Sequence, residues 1–192
     1  MVHTLLLNAG TRPIAWATWQ ELVVLKSRGL IQQVMGEVVY RVRGGVSRDS
    51  GVRSCVEVPS IAVVAGARHP GDRVALPRRE NRELYRRDQW TCLYCGGRFD
   101  RSALSRDHVQ PVSRGGFDRW ENVATACRRC NRLKASRTPE EARMPLLAVP
   151  YAPVHSEWMV LTGRDIRGDQ MAILRAHLPR RSPLLQSGGT VA

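Results

Sequence analysis

The sequence predicts an α+β fold built from two successive parts. Its 192 residues are enough for one ordinary domain or two small ones, and 43% of them are hydrophobic, which is enough for a packed core. Short aliphatic runs fill the first 65 residues, whereas paired cysteines appear only after residue 90. We therefore place a small N-terminal α+β accessory domain at residues 1–76, a second domain at 77–144 and a C-terminal segment at 145–192.

The first part alternates predicted strands with one helix. Leu22, Val23 and Leu25 recur at helical spacing, which predicts a helix over 19–26. The loop 43–53 holds three glycines and three arginines, and we expect it to be mobile. Runs rich in valine, isoleucine and leucine predict four strands, at 5–7, 14–17, 31–42 and 61–64.

A change in composition marks the end of the first part. Residues 66–79 are rich in glycine, proline and arginine, as in a linker or an arm that faces DNA. Helical character resumes at 80–88, and Thr138-Pro139 followed by two glutamates predicts the start of another helix. After a proline-rich stretch we expect a helix at 169–177, and a disordered tail over 180–192.

The charge of the chain predicts a polyanionic partner. Lysine and arginine number 30 against 17 acidic residues, a formal net charge of +13, and only Lys26 and Lys134 are lysines. Preference for arginine can reflect a GC-rich genome, but this does not explain the excess of positive charge. Arginine binds phosphate with two parallel hydrogen bonds, so nucleic acid is the expected partner. No apolar run is long enough to cross a bilayer and no signal segment opens the chain, so we expect a cytoplasmic protein without a membrane partner.

Four of the five cysteines form two CxxC pairs, Cys92 with Cys95 and Cys127 with Cys130. Four thiolates at this spacing predict one closed tetrahedral Zn²⁺ site per chain, which is structural because no ligand position is left for water. Paired redox motifs are the alternative, but no thioredoxin-like pattern surrounds them. We expect the remaining Cys55 to be a small buried apolar residue.

The segment between the two pairs carries a dense set of polar residues. It contains Asp107-His108, the turn Gly115-Gly116 and Asn122, and the second pair is followed by Asn131. In this order the motif resembles the HNH endonuclease family, from Cys92 to Glu141. The resemblance implies a ββα-metal fold, a β-hairpin followed by a helix around one divalent cation. On this resemblance we expect residues 77–144 to be an HNH nuclease module.

The residue types suit phosphodiester hydrolysis. A neutral histidine can take a proton from water near neutral pH, so His108 is the predicted general base. Asp107 offers hard carboxylate oxygens for Mg²⁺ or Mn²⁺. Adjacent strand residues face opposite sides, so Asp107 and His108 share a site only if the backbone bends there, and Pro111 makes a bend plausible.

The resemblance adds two asparagines to the predicted catalytic site. It implies that Asn122 braces the hairpin loop and that Asn131 ligates the metal through its amide oxygen, where the family name has histidine. An amide oxygen is harder than an imidazole nitrogen and favours Mg²⁺ or Mn²⁺. Lys134 lies one helical turn beyond Asn131 and, with Arg106 and Arg114, is a predicted phosphate contact.

The predicted function is a metal-dependent endonuclease that cuts DNA, which by resemblance leaves 5′-phosphate and 3′-hydroxyl ends. One site cuts one strand, so a double-strand break needs a homodimer or two encounters. Two alternatives stay open at this point: a nucleic-acid-binding zinc module without catalysis, and a nuclease directed at RNA.

Overall fold

The computed structural model describes residues 3–185, which form two compact units. One unit combines residues 3–71 with 155–185, and the other comprises 72–154. Helices and strands are mixed in the chain, which confirms the predicted α+β class. The segment that we expected to stand apart after residue 144 instead supplies residues 155–185 to the N-terminal unit.

The regular elements follow the predicted order with one addition. In chain order they are β1 (His3–Leu7), β2 (Pro13–Thr18), α1 (Trp19–Ser27), β3 (Ile31–Val46), β4 (Arg53–Val64), α2 (Arg82–Arg87), β5 (Leu104–His108), β6 (Val123–Cys127), α3 (Arg128–Lys134), α4 (Pro139–Ala142), α5 (His155–Thr162) and α6 (Gly168–Ala176). Helix α5 was not predicted. Six of its eight residues are buried, so its sequence lacks the polar face that marks an amphipathic helix.

The N-terminal unit is built on a four-stranded sheet of order β2-β1-β4-β3. Strands β1 and β4 run parallel, whereas the other neighbours are antiparallel. The loop expected at 43–53 is shorter than predicted, because pairing of β3 with β4 continues to Val46 opposite Arg53. The buried amide of Gln170 donates from Nε2 to the carbonyls of His3 (2.9 Å) and Ser60 (2.8 Å), which ties α6 to β1 and β4.

Both faces of this sheet are covered, as the continuous apolar run of β1 requires. Leu5 and Leu7 lie on one face and pack in a cluster with Leu161 of α5 and Leu174 of α6. Leu6 lies on the opposite face, in a cluster with Leu22 of α1. The period-two alternation of a strand therefore divides one leucine triplet between two cores.

The second unit is a β5–β6 hairpin with helices on it. The pairing runs without a bulge from Leu104 opposite Cys127 to His108 opposite Val123. Helix α4 begins with the predicted cap, in which the Thr138 hydroxyl accepts a hydrogen bond from the Glu141 amide and the Glu141 carboxylate accepts one from the Thr138 amide. These elements place both cysteine pairs and the Asp-His motif in one unit.

The remaining stretches contain little regular structure. No helix or strand occurs between Val64 and Arg82, in agreement with the irregular segment predicted there. Of the tail predicted to be disordered, residues 180–185 include a 3₁₀ turn with Leu184 buried, which differs from that prediction. Residues 186–192 lie outside the described part of the chain. Within residues 3–185, the helices are all too short or too polar to cross a membrane.

Candidate functional site

The four cysteines of the two CxxC pairs form one cluster. Their sulfur atoms all lie within 4.8 Å of one another, and three of the four residues are buried. Sulfur atoms around a tetrahedral Zn²⁺ are about 3.8 Å apart when each Zn–S bond is about 2.3 Å. The cluster therefore has the donor set and the size of a four-thiolate zinc site.

Each cysteine pair lies in a backbone turn that aims both sulfurs inward. In the first turn, the Cys92 amide donates to Gly97 O (2.9 Å), and Gly96 adopts a φ of +74°, a left-handed conformation that favours glycine. In the second, Cys127 ends β6 and caps α3, with its sulfur accepting from the Cys130 amide at 3.4 Å. Strand pairing and helix capping thus assemble the cluster.

The thiols in the cluster have opposed pKa shifts. Burial, followed by the hydrogen bond with Cys127, raises the pKa of the Cys130 thiol. Burial also raises the pKa of Cys92, but backbone amides at Cys127, Cys95 and Tyr94 outweigh it and lower the pKa overall. Four thiolates this close repel one another, so their joint ionisation requires a cation among them.

Asp107 and His108 leave strand β5 on opposite faces. Both are in regular register with β6, opposite Ala124 and Val123, so the backbone has no bulge at this point. The bend that the two side chains would need is therefore not found between Asp107 and His108, and the backbone bends only after the strand, at residues 109–110.

Asp107 lies under helix α3 in a buried polar cluster. Its Oδ2 accepts a hydrogen bond from Tyr94 Oη at 2.5 Å, and its Oδ1 accepts one from Lys134 Nζ at 3.1 Å. Lys134 is fully buried and also donates to His108 O at 2.8 Å. Lys134 is therefore not placed to reach a substrate phosphate, which corrects the role predicted for it. A buried ammonium requires such a carboxylate partner.

Tyr94 links the cysteine cluster to Asp107. It is the residue before Cys95 in the first cysteine pair. Burial, and next the hydrogen bond to Asp107, raise the pKa of the Tyr94 phenol, which is therefore a neutral donor to the carboxylate. Its position inside the CxxC motif was the only signal that the sequence offered for this role.

His108 lies at the end of β5 where the connecting loop begins, and it contacts Asp118 of that loop. Its Nε2 is 3.1 Å from Asp118 Oδ1, and a quarter of its side chain is exposed. Arg106, on the same strand face, donates from one nitrogen to both oxygens of Asp118 (2.9 and 3.0 Å). Partial burial raises the pKa of Asp118, but hydrogen bonds from Arg106 and His108 outweigh it and lower the pKa below its usual range. Asp118 is thus a carboxylate, which can only accept, so the hydrogen in this contact lies on His108 Nε2.

Asn122 spans the loop between the two strands. Its amide nitrogen donates to Gln110 O (3.0 Å) and Phe117 O (2.9 Å), and its amide oxygen accepts from the Gln110 backbone amide (2.8 Å). Gly115 adopts a φ of +83°, and a Cβ on Gly116 would lie 1.9 Å from Gln110 O. The predicted Gly-Gly turn is therefore needed for this loop, and the loop carries Asp118 to His108.

Asn131 lies in the middle of helix α3 and faces strand β5. Its Nδ2 donates to Ser105 Oγ (2.9 Å) and to Arg106 O (3.2 Å). Both hydrogens of the amide are thereby used, and its oxygen is the atom left for another partner. Asn131 and Ser105 line an open groove together with Leu104, Arg128 and Arg132.

The two predicted phosphate-binding arginines differ in their availability. Arg106 is largely buried and holds Asp118, Asn81 Oδ1 (2.8 Å) and Pro77 O. Arg114 is nearly half exposed and pairs with Glu141 at 2.6 Å. Arg114 is therefore the better placed of the two to exchange its partner for a phosphate.

A buried ion pair between Arg87 and Asp88 also supports the hairpin. Nothing in the sequence singled it out. Arg87 donates to the carbonyls of Trp120 (2.9 Å), Val123 (2.8 Å) and Tyr151 (3.0 Å), and it pairs with Asp88. Asp88 in turn accepts from the Thr125 amide at 2.8 Å. The pair fixes the start of β6 and hence the position of Asn122.

Comparison with known families agrees with the geometry of this unit. Residues 92–147 match the family model described as HNH endonuclease. The match contains the four cysteines, the hairpin and helices α3 and α4, and it confirms the resemblance predicted from the motif order. It indicates nuclease chemistry for this segment. Among curated proteins, no match to the chain was found.

Proposed function

We propose that the chain is a metal-dependent endonuclease that hydrolyses DNA phosphodiester bonds with His108 as general base. The observation that carries the proposal is the contact between His108 Nε2 and Asp118 in a segment that matches the HNH endonuclease model. A carboxylate that holds Nε2–H leaves the lone pair on Nδ1, so Nδ1 is the atom that takes a proton from the attacking water.

Asp118 acts in this proposal as a positioning residue. Its negative charge also stabilises the imidazolium that forms when Nδ1 takes the proton, because the two groups are in direct contact. Arg106 keeps Asp118 ionised and fixes its orientation through hydrogen bonds to both oxygens. In this proposal, His108 is therefore oriented for proton transfer before substrate binds.

Asp107 and Asn131 remain our proposed ligands for the catalytic Mg²⁺ or Mn²⁺. A carboxylate and an amide oxygen are the hard donors that these cations prefer, and the amide nitrogen of Asn131 is already held by Ser105 and Arg106 O. When bound, the cation supplies counter-charge to the phosphoryl oxygens. Lys134 disfavours binding of the cation at Asp107, because its side-chain nitrogen lies 3.1 Å from Asp107 Oδ1. This nitrogen must move away when a divalent cation binds there.

The zinc that we propose for the four cysteines has a different task. Cys130 is the residue before Asn131, and Tyr94, next to Cys95, holds Asp107. Zinc would thus fix one residue next to each proposed ligand of the catalytic cation and take no part in the hydrolysis itself.

The test is cleavage of supercoiled plasmid by purified protein with Mg²⁺, Mn²⁺ or EDTA, in parallel with an RNA substrate. We expect nicking of the plasmid with either cation and none with EDTA. His108→Ala should slow cleavage by about 10²–10⁴-fold, the usual contribution of a general base. His177→Ala is the matched control, because His177 lies in the other unit.

Three results would contradict the proposal in different ways. Equal rates for wild type and His108→Ala would exclude His108 as the base. Cleavage of RNA alone would show an RNA-directed nuclease. Binding without cleavage under every condition would favour a non-catalytic zinc module. Nicked circles that precede linear DNA would indicate one cut per encounter, whereas direct linearisation would support a homodimer.

A further inference from the structure

Strands β3 and β4 continue beyond the rest of the N-terminal sheet as a two-stranded ribbon. Strand β1 pairs with β4 only at residues 61–63, whereas pairing of β3 with β4 continues from Tyr40 opposite Val58 to Val46 opposite Arg53. At about 3.3 Å per residue, the ribbon from residue 40 to 46 is about 20 Å long. We call residues 40–58 the β3–β4 ribbon.

The two faces of the ribbon differ in chemistry. Arg41 lies opposite Glu57 and Arg43 opposite Cys55, so these four residues share one face, and strand alternation adds Arg53. All five are exposed. The opposite face carries Tyr40, whose ring lies 6.3 Å from that of Trp19 in α1, and Val58, which belongs to the core on that side. One face is therefore anchored to the unit, and the arginine face is open to solvent.

The positive charge on the open face is only partly compensated. Arg41 forms an exposed ion pair with Glu57 at 3.0 Å. Among the described residues, Arg43 and Arg53 have no acidic side chain within salt-bridge distance. The exposed Cys55, which we had expected to be buried, lies on the same face between them. Charged residues on a ribbon also deter strand pairing between copies.

The shape and charge of the ribbon fit duplex DNA. The major groove of B-DNA is about 12 Å wide and admits a two-stranded β-ribbon, while arginines at its borders can bind the phosphates. A second copy of the chain is a poor partner, because it would bring this arginine face against an identical one. Gly45 on β3 is exposed and has no side chain, and a Cβ there would meet nothing within 4 Å, so the backbone at this point is open to close approach.

We propose that the arginine face of the β3–β4 ribbon is a DNA-binding surface, with Arg43 and Arg53 contacting backbone phosphates of a duplex. It would give the N-terminal unit a role in holding the substrate that is separate from the chemistry of residues 72–154. The inference rests on the proposed function only in taking DNA as the polymer. It needs no catalytic metal and no cleavage.

The first test is DNA binding by the full chain with Arg43→Gln and Arg53→Gln combined. Binding of a fluorescently labelled 20-base-pair duplex is followed by anisotropy without Mg²⁺ or Mn²⁺, between 50 and 200 mM salt. Loss of two phosphate contacts should weaken binding by about 30-fold near 0.15 M salt and reduce the slope of log K against log salt by about 1.8. The control combines Arg12→Gln with Arg175→Gln, which removes the same charge from exposed sites outside the ribbon.

The second test uses Cys55 as a reporter without changing any charge. Because Cys55 is exposed on the arginine face, bound duplex should slow its alkylation by a maleimide. The rate is read by mass spectrometry of the peptide that contains Cys55, with and without the duplex. A single-stranded RNA of equal length is the comparison.

The outcomes separate this inference from the proposed nuclease activity. Weaker binding in the ribbon variant alone, together with protection of Cys55, supports the ribbon even if no plasmid is cut. Equal binding by both double variants, or alkylation of Cys55 at an unchanged rate, overturns it even if cleavage is normal. Protection by RNA and not by duplex DNA also overturns it.

Discussion

At the scale of single residues, the described structure divides the polar motif between two sides of one strand. Asp107 is buried with Lys134 and Tyr94, whereas His108 is partly exposed and contacts Asp118. Lys134 has no exposed surface, and a carboxylate and a carbonyl take the place of water around its side-chain nitrogen. The role of each ionisable side chain in this unit therefore depends on its partner more than on its residue type.

Asp118 offers the sharpest prediction at this scale. In Asp118→Asn, the amide has no charge to hold His108 or to stabilise its imidazolium, so kcat should fall by about 10–100-fold with little change in KM. The ¹⁵N chemical shifts of the His108 ring should also show loss of the Nε2–H tautomer that a carboxylate favours.

Asp100→Asn is the matched control, since Asp100 is an exposed carboxylate of the same unit without a side-chain cap hydrogen bond. The ring signals are assigned with His108→Gln. If the tautomer of His108 is the same in Asp118→Asn as in wild type, Asp118 does not position the base. That conclusion holds whether or not plasmid is cut, because the NMR signal requires no substrate.

At the scale of elements, capping determines where the short helices begin. Thr18 and Glu21 form a reciprocal cap on α1, in which the Thr18 hydroxyl accepts from the Glu21 amide and the Glu21 carboxylate accepts from the Thr18 amide at 2.8 Å. Thr138 and Glu141 repeat the arrangement on α4. Helices of nine and four residues are marginal alone, so these caps and tertiary packing stabilise them.

The α1 cap predicts a dependence of stability on pH. Hydrogen bonds from the backbone and side chain of Thr18 lower the pKa of Glu21 in the folded chain. The stabilisation that Glu21 gives the folded chain is therefore complete above its ordinary pKa of 4.5. It is lost as the pH falls through the lower pKa that Glu21 has in the folded chain. Thr18→Ala should cost about 1 kcal/mol at pH 7.

Thermal unfolding of wild type and Glu21→Gln, measured from pH 7 down to pH 3, tests this sign. The difference in melting temperature between wild type and Glu21→Gln should decrease as the solution is acidified, because protonated Glu21 resembles glutamine. Glu57→Gln serves as the control, since its partner Arg41 is on an exposed ribbon. A gap that widens at low pH would contradict the assigned direction of the shift.

At the scale of the whole molecule, the chain forms two compact units with different means of stabilisation. Residues 3–71 and 155–185 enclose the leucine clusters on both faces of a sheet. Residues 72–154 bury fewer apolar side chains, and one of their clusters consists mainly of the paired cysteines, with Cys92, Ala126, Cys127 and Cys130. A small apolar core is often supplemented by a structural metal, so we expect zinc to matter for one unit only.

Removal of zinc should therefore unfold the chain in part. Elemental analysis should find about one zinc per chain, and Cys127→Ser should lose it together with the amide-exchange protection of β5 and β6. Protection of β1, β4 and α6 should persist, because their core contains no metal ligand. In contrast, Cys55→Ser should keep both the zinc and all protection, since Cys55 lies outside the cysteine cluster. A folded and zinc-free wild-type protein would disprove the structural role of the metal.

Much of the fold was predictable because local patterns determine it. Period-two and helical spacing predicted β1, β2, α1, β4 and α2, and the cysteine spacing predicted a cluster that the structure assembles. Helix α5 was missed because burial on nearly every side removes the amphipathic pattern. Likewise, the exposure of Cys55 depends on how far the β3–β4 ribbon extends beyond the sheet.

By itself, the sequence determined the α+β class, the four clustered cysteines and the order of the HNH motif, because residue type and spacing along the chain carry that information. Only the tertiary structure decided that Lys134 is buried against Asp107, that Asp118 contacts His108, and that residues 155–185 complete the N-terminal unit. The physical reason is distance along the chain. Lys134 and Asp107 are 27 residues apart, and neither spacing nor composition indicates which distant charges become neighbours once helix α3 packs on strand β5.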